Sequence, residues 1–319
     1  MAQRRAQASL GFLMIRSAAA AVLLALLPTP RAGAQAPGAA VPLRPHPELL
    51  VQTSWLASRL GSSRVVVLHV GHTDEMYRAG HIPGALFVPL SAVAIEVNGV
   101  PNEFPPAAQL AATFRDLGVG NAARIVIYGD DPGLLAARVW VALDLLGQSA
   151  GAAILDGGLV RWKAEHRPVE TPVRSPHPLL FASRWQTERV VSAAWVRAHL
   201  GDPSVVLVDA RPPEQYAGAA GDPTSGHVPG AKSVYWMTAL VSAADPVLRP
   251  AQALREALWR PTGADRRPAR TVVTYCQTGM QASYDFFVAR YLGYPDVRLY
   301  DGSMSEWTML NGPVERKAQ

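Results

Sequence analysis

Gly80-His81-Ile82-Pro83-Gly84-Ala85 returns as Gly226-His227-Val228-Pro229-Gly230-Ala231, 146 residues further along the chain. Two more landmarks follow in the same order. Ile125-Val126-Ile127-Tyr128 returns as Val272-Val273-Thr274-Tyr275 at an offset of 147, and Asp156-Gly157 returns as Asp301-Gly302 at 145. Three landmarks that keep their order and agree within one residue mark two copies of one domain of ordinary size. A solenoid would repeat at a much shorter period.

Each copy reads as alternating strands and helices. In the second, Val205 to Val208 is an apolar run suited to a buried strand, Ala251 to Leu258 has a helical pattern, and Thr271 to Tyr275 is another strand. From Ala282 to Leu292 apolar residues recur at helical spacing, with Phe286, Ala289 and Leu292 on one face and Gly293 where a helix C-cap wants positive φ. Val297 to Tyr300 closes the unit. The first copy repeats it with Val65 to Val70, Ile125 to Tyr128, a helix Leu134 to Leu146, and Ala153 to Leu155. This predicts an α/β fold, each copy a parallel sheet with helices on both faces. The copies are expected over residues 42–171 and 188–316. The join at 172–187, with Pro172, Pro176 and Pro178 and no periodicity, reads as a linker over the surface.

The chain has 319 residues, 49% hydrophobic and 17% charged, which excludes disorder; its single cysteine excludes a disulfide scaffold and a cysteine-ligated metal cluster. The net charge of +5 is unevenly spread, because residues 1–34 carry Arg4, Arg5, Arg16 and Arg31 and no acid. The remainder is close to neutral, so no nucleic-acid partner is expected. Residues 1–34 read as a cleavable signal peptide: arginines, the apolar stretch Ser17 to Leu27, a Pro28-Thr29-Pro30 break, and Ala32-Gly33-Ala34 as a small-x-small cleavage site. The stretch is too short for a stable membrane anchor. Cleavage near Ala34 and a periplasmic or extracellular destination are expected, by either the Sec or the twin-arginine route.

The chemistry concentrates where Tyr275 gives way to Cys276-Gln277-Thr278-Gly279-Met280-Gln281. Cys276 follows a strand and its short loop runs into a helix, the place where doubly wound sheets bind ligands. Backbone N–H groups and the dipole at a helix start favour an anion, which predicts a lowered thiol pKa. The competing reading is an inert buried cysteine in a binding module. Phosphatase or arsenate reductase chemistry wants an Arg six residues after the Cys, where this chain has Ala282. His81 and His227 are candidate bases for a cysteine hydrolase. Both copies keep them although only one has a cysteine, so a turn-stabilising role is the better reading.

With these residues in view the chain is similar to the tandem-domain rhodaneses, the thiosulfate/3-mercaptopyruvate sulfurtransferase family, of an exported bacterial type. The resemblance runs from about Leu43 to Glu315. It rests on the two Gly-His-x-Pro-Gly-Ala motifs, on Val208-Asp209-Ala210-Arg211, on Tyr275 to Gly279, and on Leu299 to Ser303 with Trp307. It implies two rhodanese-like domains. It also implies a sulfurtransferase in which Cys276 takes a sulfane sulfur from a small donor, holds it as a persulfide, and passes it to a thiophilic acceptor such as cyanide or a thiol. Gln277, Thr278, Gly279, Met280 and Gln281 would cradle the persulfide, and no metal or organic cofactor is implied.

Aligned on the tyrosines, Gly129-Asp130-Asp131 stands where the second copy has its thiol, so the first copy is implied to be silent, a wall for the Cys276 cleft. An Asp at that helix start would supply its own carboxylate to the anion site. Arg211 matches the family's substrate-binding arginine; the competing reading is an ion pair with Asp209 or Glu214. Asp301, Ser303 and Trp307 read as structural support. Gln277 and Thr278 are neutral where thiosulfate enzymes of the family usually carry Arg and Lys and mercaptopyruvate enzymes carry Gly-Ser. Thr278 can donate to a leaving oxygen or sulfur. Thiosulfate is the favoured donor and 3-mercaptopyruvate the alternative. A carrier fed with sulfur by a partner protein is a further alternative, and a protein is a candidate acceptor.

Overall fold

Strands of two to seven residues, most of them apolar runs, form two parallel sheets in the computed structural model, which describes residues 43–219, 225–266 and 270–316. The expected leader and its cleavage site lie outside the described residues. The first half contributes β1 (Leu50–Val51), β2 (Val65–Gly71), β3 (Ala85–Pro89), an antiparallel hairpin of β4 (Ile95–Val97) and β5 (Val100–Glu103), then β6 (Arg124–Gly129) and β7 (Ala152–Leu155). The second contributes β8 (Val205–Asp209), β9 (Lys232–Ser233), β10 (Thr271–Tyr275) and β11 (Val297–Leu299). The sheet orders are β1-β7-β6-β2-β3 and β11-β10-β8-β9, with every neighbouring pair parallel. A bridge from Val190 to Leu299 stands where the first sheet has β1 against β7, so the two copies share one topology.

The two-residue period of a strand sends alternate side chains to opposite faces. Ile125 and Ile127 of β6 point into a core shared by both halves, while Val126 and Tyr128 point into the first half's outer cluster. In β10, Val272 faces the shared core and Val273 and Tyr275 face the second half's outer cluster. The shared core is built on two long helices, Leu134–Leu145 and Met280–Tyr291, one from each half. Helix Leu134–Leu145 is buried all round apart from Leu134, an internal helix that is apolar except at Arg138 and Asp144. Trp140 meets Phe287 edge-on, with ring centroids 5.0 Å apart, and lies 6.5 Å from Phe286. The two sheets are therefore joined by one continuous hydrophobic body.

Three local features differ from the sequence reading. The helix expected from Ala282 begins at Met280, because Gly279 adopts φ +80° and caps it. The stretch from Ala251 is regular only to Leu254; Arg255–Trp259 widens into a π-turn, and Trp259 is buried 5.5 Å from the ring of Tyr294. The β4–β5 hairpin was not anticipated, although Asn98-Gly99, both at positive φ, is the dipeptide that a tight hairpin turn prefers. Residues 171–186 carry no regular structure and are mostly exposed. They touch the body through Leu179 N to Arg115 O and Arg184 N to Leu146 O.

Because Trp140 is fully buried between the halves, Trp140→Ala should cost about 3–5 kcal/mol, read as a lower midpoint in urea unfolding, with both halves melting in one transition.

Candidate active site

The carboxyl ends of β8 and β10 lie side by side, Asp209 opposite Tyr275. From there the chain turns outward in opposite directions, β8 toward β9 and β10 toward β11. That reversal opens the crevice of a doubly wound sheet. Cys276 is the first residue beyond β10 and is buried, and the backbone amides of Ala282, Thr278 and Gln281 favour its thiolate. Of the expected cradle, Thr278 and Gln281 take part directly. Ala282 joins them unanticipated, because the helix starts two residues early and turns its first-turn amides inward. Gly279 does not: its N–H donates to Ser303 Oγ at 3.0 Å.

The expected low thiol pKa is overturned in this resting site. Burial pushes the Cys276 thiol above its ordinary value, with Asp209 adding to the rise, and the amides of Ala282, Thr278 and Gln281 offset only part of it.

Ser303 knots the loop from below. Its hydroxyl oxygen accepts from Cys276 N at 3.1 Å and Gly279 N at 3.0 Å, and it donates to Tyr300 O at 2.9 Å. Ser303 adopts φ +53° to do this, a left-handed conformation that costs a non-glycine residue about 1 kcal/mol or more. The helix Ser303–Met309 then spends its otherwise unpaired first amides on the loop: Met304 N donates to Cys276 O at 3.1 Å and Ser305 N to Gln277 O at 3.0 Å. Trp307, fully buried, donates from Nε1 to Pro313 O and holds the chain end against this helix.

Arg211 is held by the ion pair that the sequence reading set against a substrate role. Nε and Nη2 donate to the Asp209 carboxylate, Nη2 at 2.6 Å, and Nη2 also donates to Gly226 O at 2.6 Å. Only Nη1 faces the loop, 3.4 Å from Gln277 Oε1. Glu214 takes no part in this pairing.

The first half reaches into the loop through the β4–β5 hairpin. Asn102 Nδ2 donates to Thr278 Oγ1 at 3.0 Å, and Phe104 N donates to Asp301 Oδ2 at 2.9 Å. Burial, with Asp301 and Glu306 nearby and Arg138 only partly compensating, pushes the Glu103 carboxyl up to about 8. In the first half's own loop, Asp131 puts its carboxylate on the amides of Gly133 and Leu135 at 3.1–3.2 Å, filling from within the place where the second half presents a thiol. His81 and His227 are paired structural groups. Each stacks on a tyrosine, Tyr77 or Tyr216, with centroids 3.7 and 3.8 Å apart, and each has Nδ1 on that tyrosine's carbonyl at 2.7 and 2.8 Å. Sequence gave no sign of Asn102 or Arg138, which are far from Cys276 in the chain.

A model of the rhodanese-like domain matches the chain twice, over residues 52–165 and 192–310. A probable 3-mercaptopyruvate sulfurtransferase of Pseudomonas aeruginosa is 34% identical over 275 residues, 81% of this chain and 94% of the relative. A thiosulfate sulfurtransferase of Azotobacter vinelandii is 32% identical over 266 residues, 81% of this chain and 93% of the relative. A sulfur carrier protein of Thermus thermophilus is 31% identical over 283 residues, 84% and 96% of the two chains. Among solved structures, the 3-mercaptopyruvate sulfurtransferase from Leishmania major shares the fold with a TM-score of 0.70 at 22% identity, covering 83% of this chain and 75% of that one.

Two outcomes are expected. Gly279→Ala places a β-carbon 2.8 Å from Asp301 O and into overlap with its carboxylate, at a φ that disfavours any side chain. It should lower the melting temperature and abolish loop function. Glu103 releases its proton near pH 4.5 in the unfolded chain and about 8 in the folded one, so the folded state holds more protons between them and stability falls as pH rises through that window. The drop in melting temperature from pH 5 to pH 8.5 should shrink in Glu103→Gln.

Proposed function

As the chain belongs to the rhodanese family and is a sulfurtransferase, we propose that Cys276 is the residue that carries the sulfur, as a persulfide, with thiosulfate as donor. In the first half-reaction the Cys276 thiolate attacks the outer sulfur of thiosulfate. A sulfur–sulfur bond forms to the cysteine, the bond inside thiosulfate breaks, and sulfite leaves with the electron pair. In the second, an acceptor such as cyanide or a thiol attacks the outer persulfide sulfur, leaves with it, and the thiolate returns.

The observation that carries this reading is the place of Cys276, buried at the carboxyl end of β10 just ahead of the helix Met280–Tyr291, where the amides of Ala282, Thr278 and Gln281 favour its anion. Fixed dipoles in a dry site stabilise a sulfur-centred anion without reorganising, which is what both half-reactions demand. Their counterpart in the first half is closed by Asp131. The Thr278 hydroxyl accepts from Asn102, which leaves its proton free to donate to a sulfite oxygen. Arg211 Nη1, the one nitrogen of its fork not committed to Asp209 or Gly226, lies 3.4 Å from Gln277 Oε1, and its positive charge suits an anionic donor. The relative named a thiosulfate sulfurtransferase supports this donor, and the one named a probable 3-mercaptopyruvate sulfurtransferase makes that compound the alternative. A protein acceptor is supported by the relative named a sulfur carrier protein. Export to the periplasm is proposed from the leader-like residues 1–34 alone; no helix of the described residues is long and apolar enough to cross a membrane.

Intact-mass spectrometry after thiosulfate should show one added sulfur that cyanide removes as thiocyanate, with 3-mercaptopyruvate adding less. Cys276→Ser should add none; sulfur transfer surviving that change would refute the assignment, and addition from 3-mercaptopyruvate alone would reassign the donor.

A further inference from the structure

A guanidinium from the half of the molecule that has no thiol lies beneath the Cys276 loop. Arg138, on helix Leu134–Leu145, is fully buried and forms a two-pronged ion pair with Asp301 across the domain boundary, Nη1 to Oδ1 at 2.6 Å and Nη2 to Oδ2 at 3.1 Å. Nη1 also donates to Ser283 Oγ at 3.2 Å, and Ser283 in turn donates to Gly279 O at 2.8 Å. Nη2 donates to Asn102 O as well, and Asn102 is the residue that holds Thr278. The Arg138 guanidinium carbon lies over the ring of Phe104, 3.4 Å from its centroid. One side chain thus ties together the first-half hairpin, the first turn of the Cys276 helix, and the turn after β11. Asp301, which it clamps, packs directly on Gly279.

A buried ion pair is a poor device for stability alone, because well-packed apolar residues of the same volume do as well or better. The molecule supplies the comparison itself. The equivalent position on helix Met280–Tyr291 is Tyr284, which packs 3.2 Å from where a β-carbon on Gly133 would lie, while Arg138 Nη1 is 3.3 Å from the corresponding point on Gly279. The charge is found on the side that faces the thiol loop, and an uncharged ring on the side whose loop is filled by Asp131. Each half also caps the other's aspartate with a loop amide, Phe104 N on Asp301 and Leu248 N on Asp156, so the scaffold is kept on both sides and the arginine is not.

We propose that Arg138 is a positioning residue for the Cys276 loop: through Asp301, Ser283 and Asn102 it holds the Thr278 hydroxyl and the amides of the loop and helix start on the sulfur, so that the first half completes the second half's site. This rests on the reading of Cys276 as the sulfur carrier. Loss of the fork leaves the Asp301 carboxylate beside the loop without its counter-charge and frees Asn102 and Ser283, so the sulfur loses donors and gains a like charge.

Arg138→Met is the direct test, but it strands a buried carboxylate at a cost to folding, so Arg138→Lys and the charge-balanced double change Arg138→Met with Asp301→Asn go beside it. All are assayed with the wild type well below their melting temperatures. The expected result for variants folded by circular dichroism is a kcat for sulfur transfer from thiosulfate at least about tenfold lower, with KM within about threefold, because the donors act on the transition state. The pH midpoint for alkylation of Cys276 by iodoacetamide should also move upward. Wild-type kcat in the folded Lys and double variants, or an alkylation midpoint that stays or falls, would overturn the proposal and leave Arg138 a purely structural residue. The alkylation readout needs no donor. A wild type that takes no sulfur from thiosulfate would count against the donor assignment, while the midpoints of the variants would still decide the role of Arg138.

Discussion

The sulfur that Cys276 is proposed to carry, once charged and shut away from water, needs dipoles or charges fixed in place beforehand, and this constraint shapes the surroundings of Cys276. Burial by itself disfavours the anion, and in the resting site it wins over the amides of Thr278, Gln281 and Ala282. The surroundings are therefore arranged to keep those donors from relaxing. Gly279 supplies the left-handed turn that aims the helix start at the sulfur, Ser303 accepts strain to hold two loop amides, and the helix after it spends its own first amides on loop carbonyls. The thiol's raised pKa and the crowded donors are two sides of one design, since exclusion of water also strengthens each amide's hold on an anion once it forms.

Duplication supplied the means. Two copies of one sheet pack through a pair of central helices, and the copy without a thiol has become a support for the other. Asp131 satisfies the amides that no sulfur uses, and the β4–β5 hairpin brings Asn102 to Thr278. A single rhodanese-like domain would leave Thr278 and Asp301 without these partners. The division of labour is asymmetric in charge as well as in chemistry, with Arg138 on one side of the pseudo-dyad and Tyr284 on the other.

Much of this was legible in the chain. Order and spacing of the repeats gave two parallel α/β copies, and Cys276 was readable as lying between a strand and a helix that Gly279 begins. The acid in the first copy's loop was readable as a built-in anion, and the duplicated histidines as turn supports, because a residue kept in both copies cannot explain what only one copy does. What could not be read were contacts between distant residues: Arg138 with Asp301, Asn102 with Thr278, and Ser303 with Gly279 follow no period and carry no motif. The sign of the thiol shift was also hidden, since motif reasoning counts the donors on the sulfur but not the water removed from around it. Arg211 shows the same limit, its neighbour Asp209 taking most of a fork whose sequence context suggested a ligand.

The connecting segment 171–186 bears on how the two halves are held. It crosses the outside of the molecule without regular structure, and Leu180 in its middle is 86% exposed. The cohesion lies instead in the helix pair, with Trp140 set between Phe286 and Phe287, and in the crossed aspartate caps. The covalent join is thus nearly incidental to the geometry: the molecule is in physical terms a heterodimer written on one chain. The peptide link raises the effective concentration of one half for the other without shaping their contact, and a protease that nicked it near Leu180 would leave two fragments still seated together, with the loop intact between them.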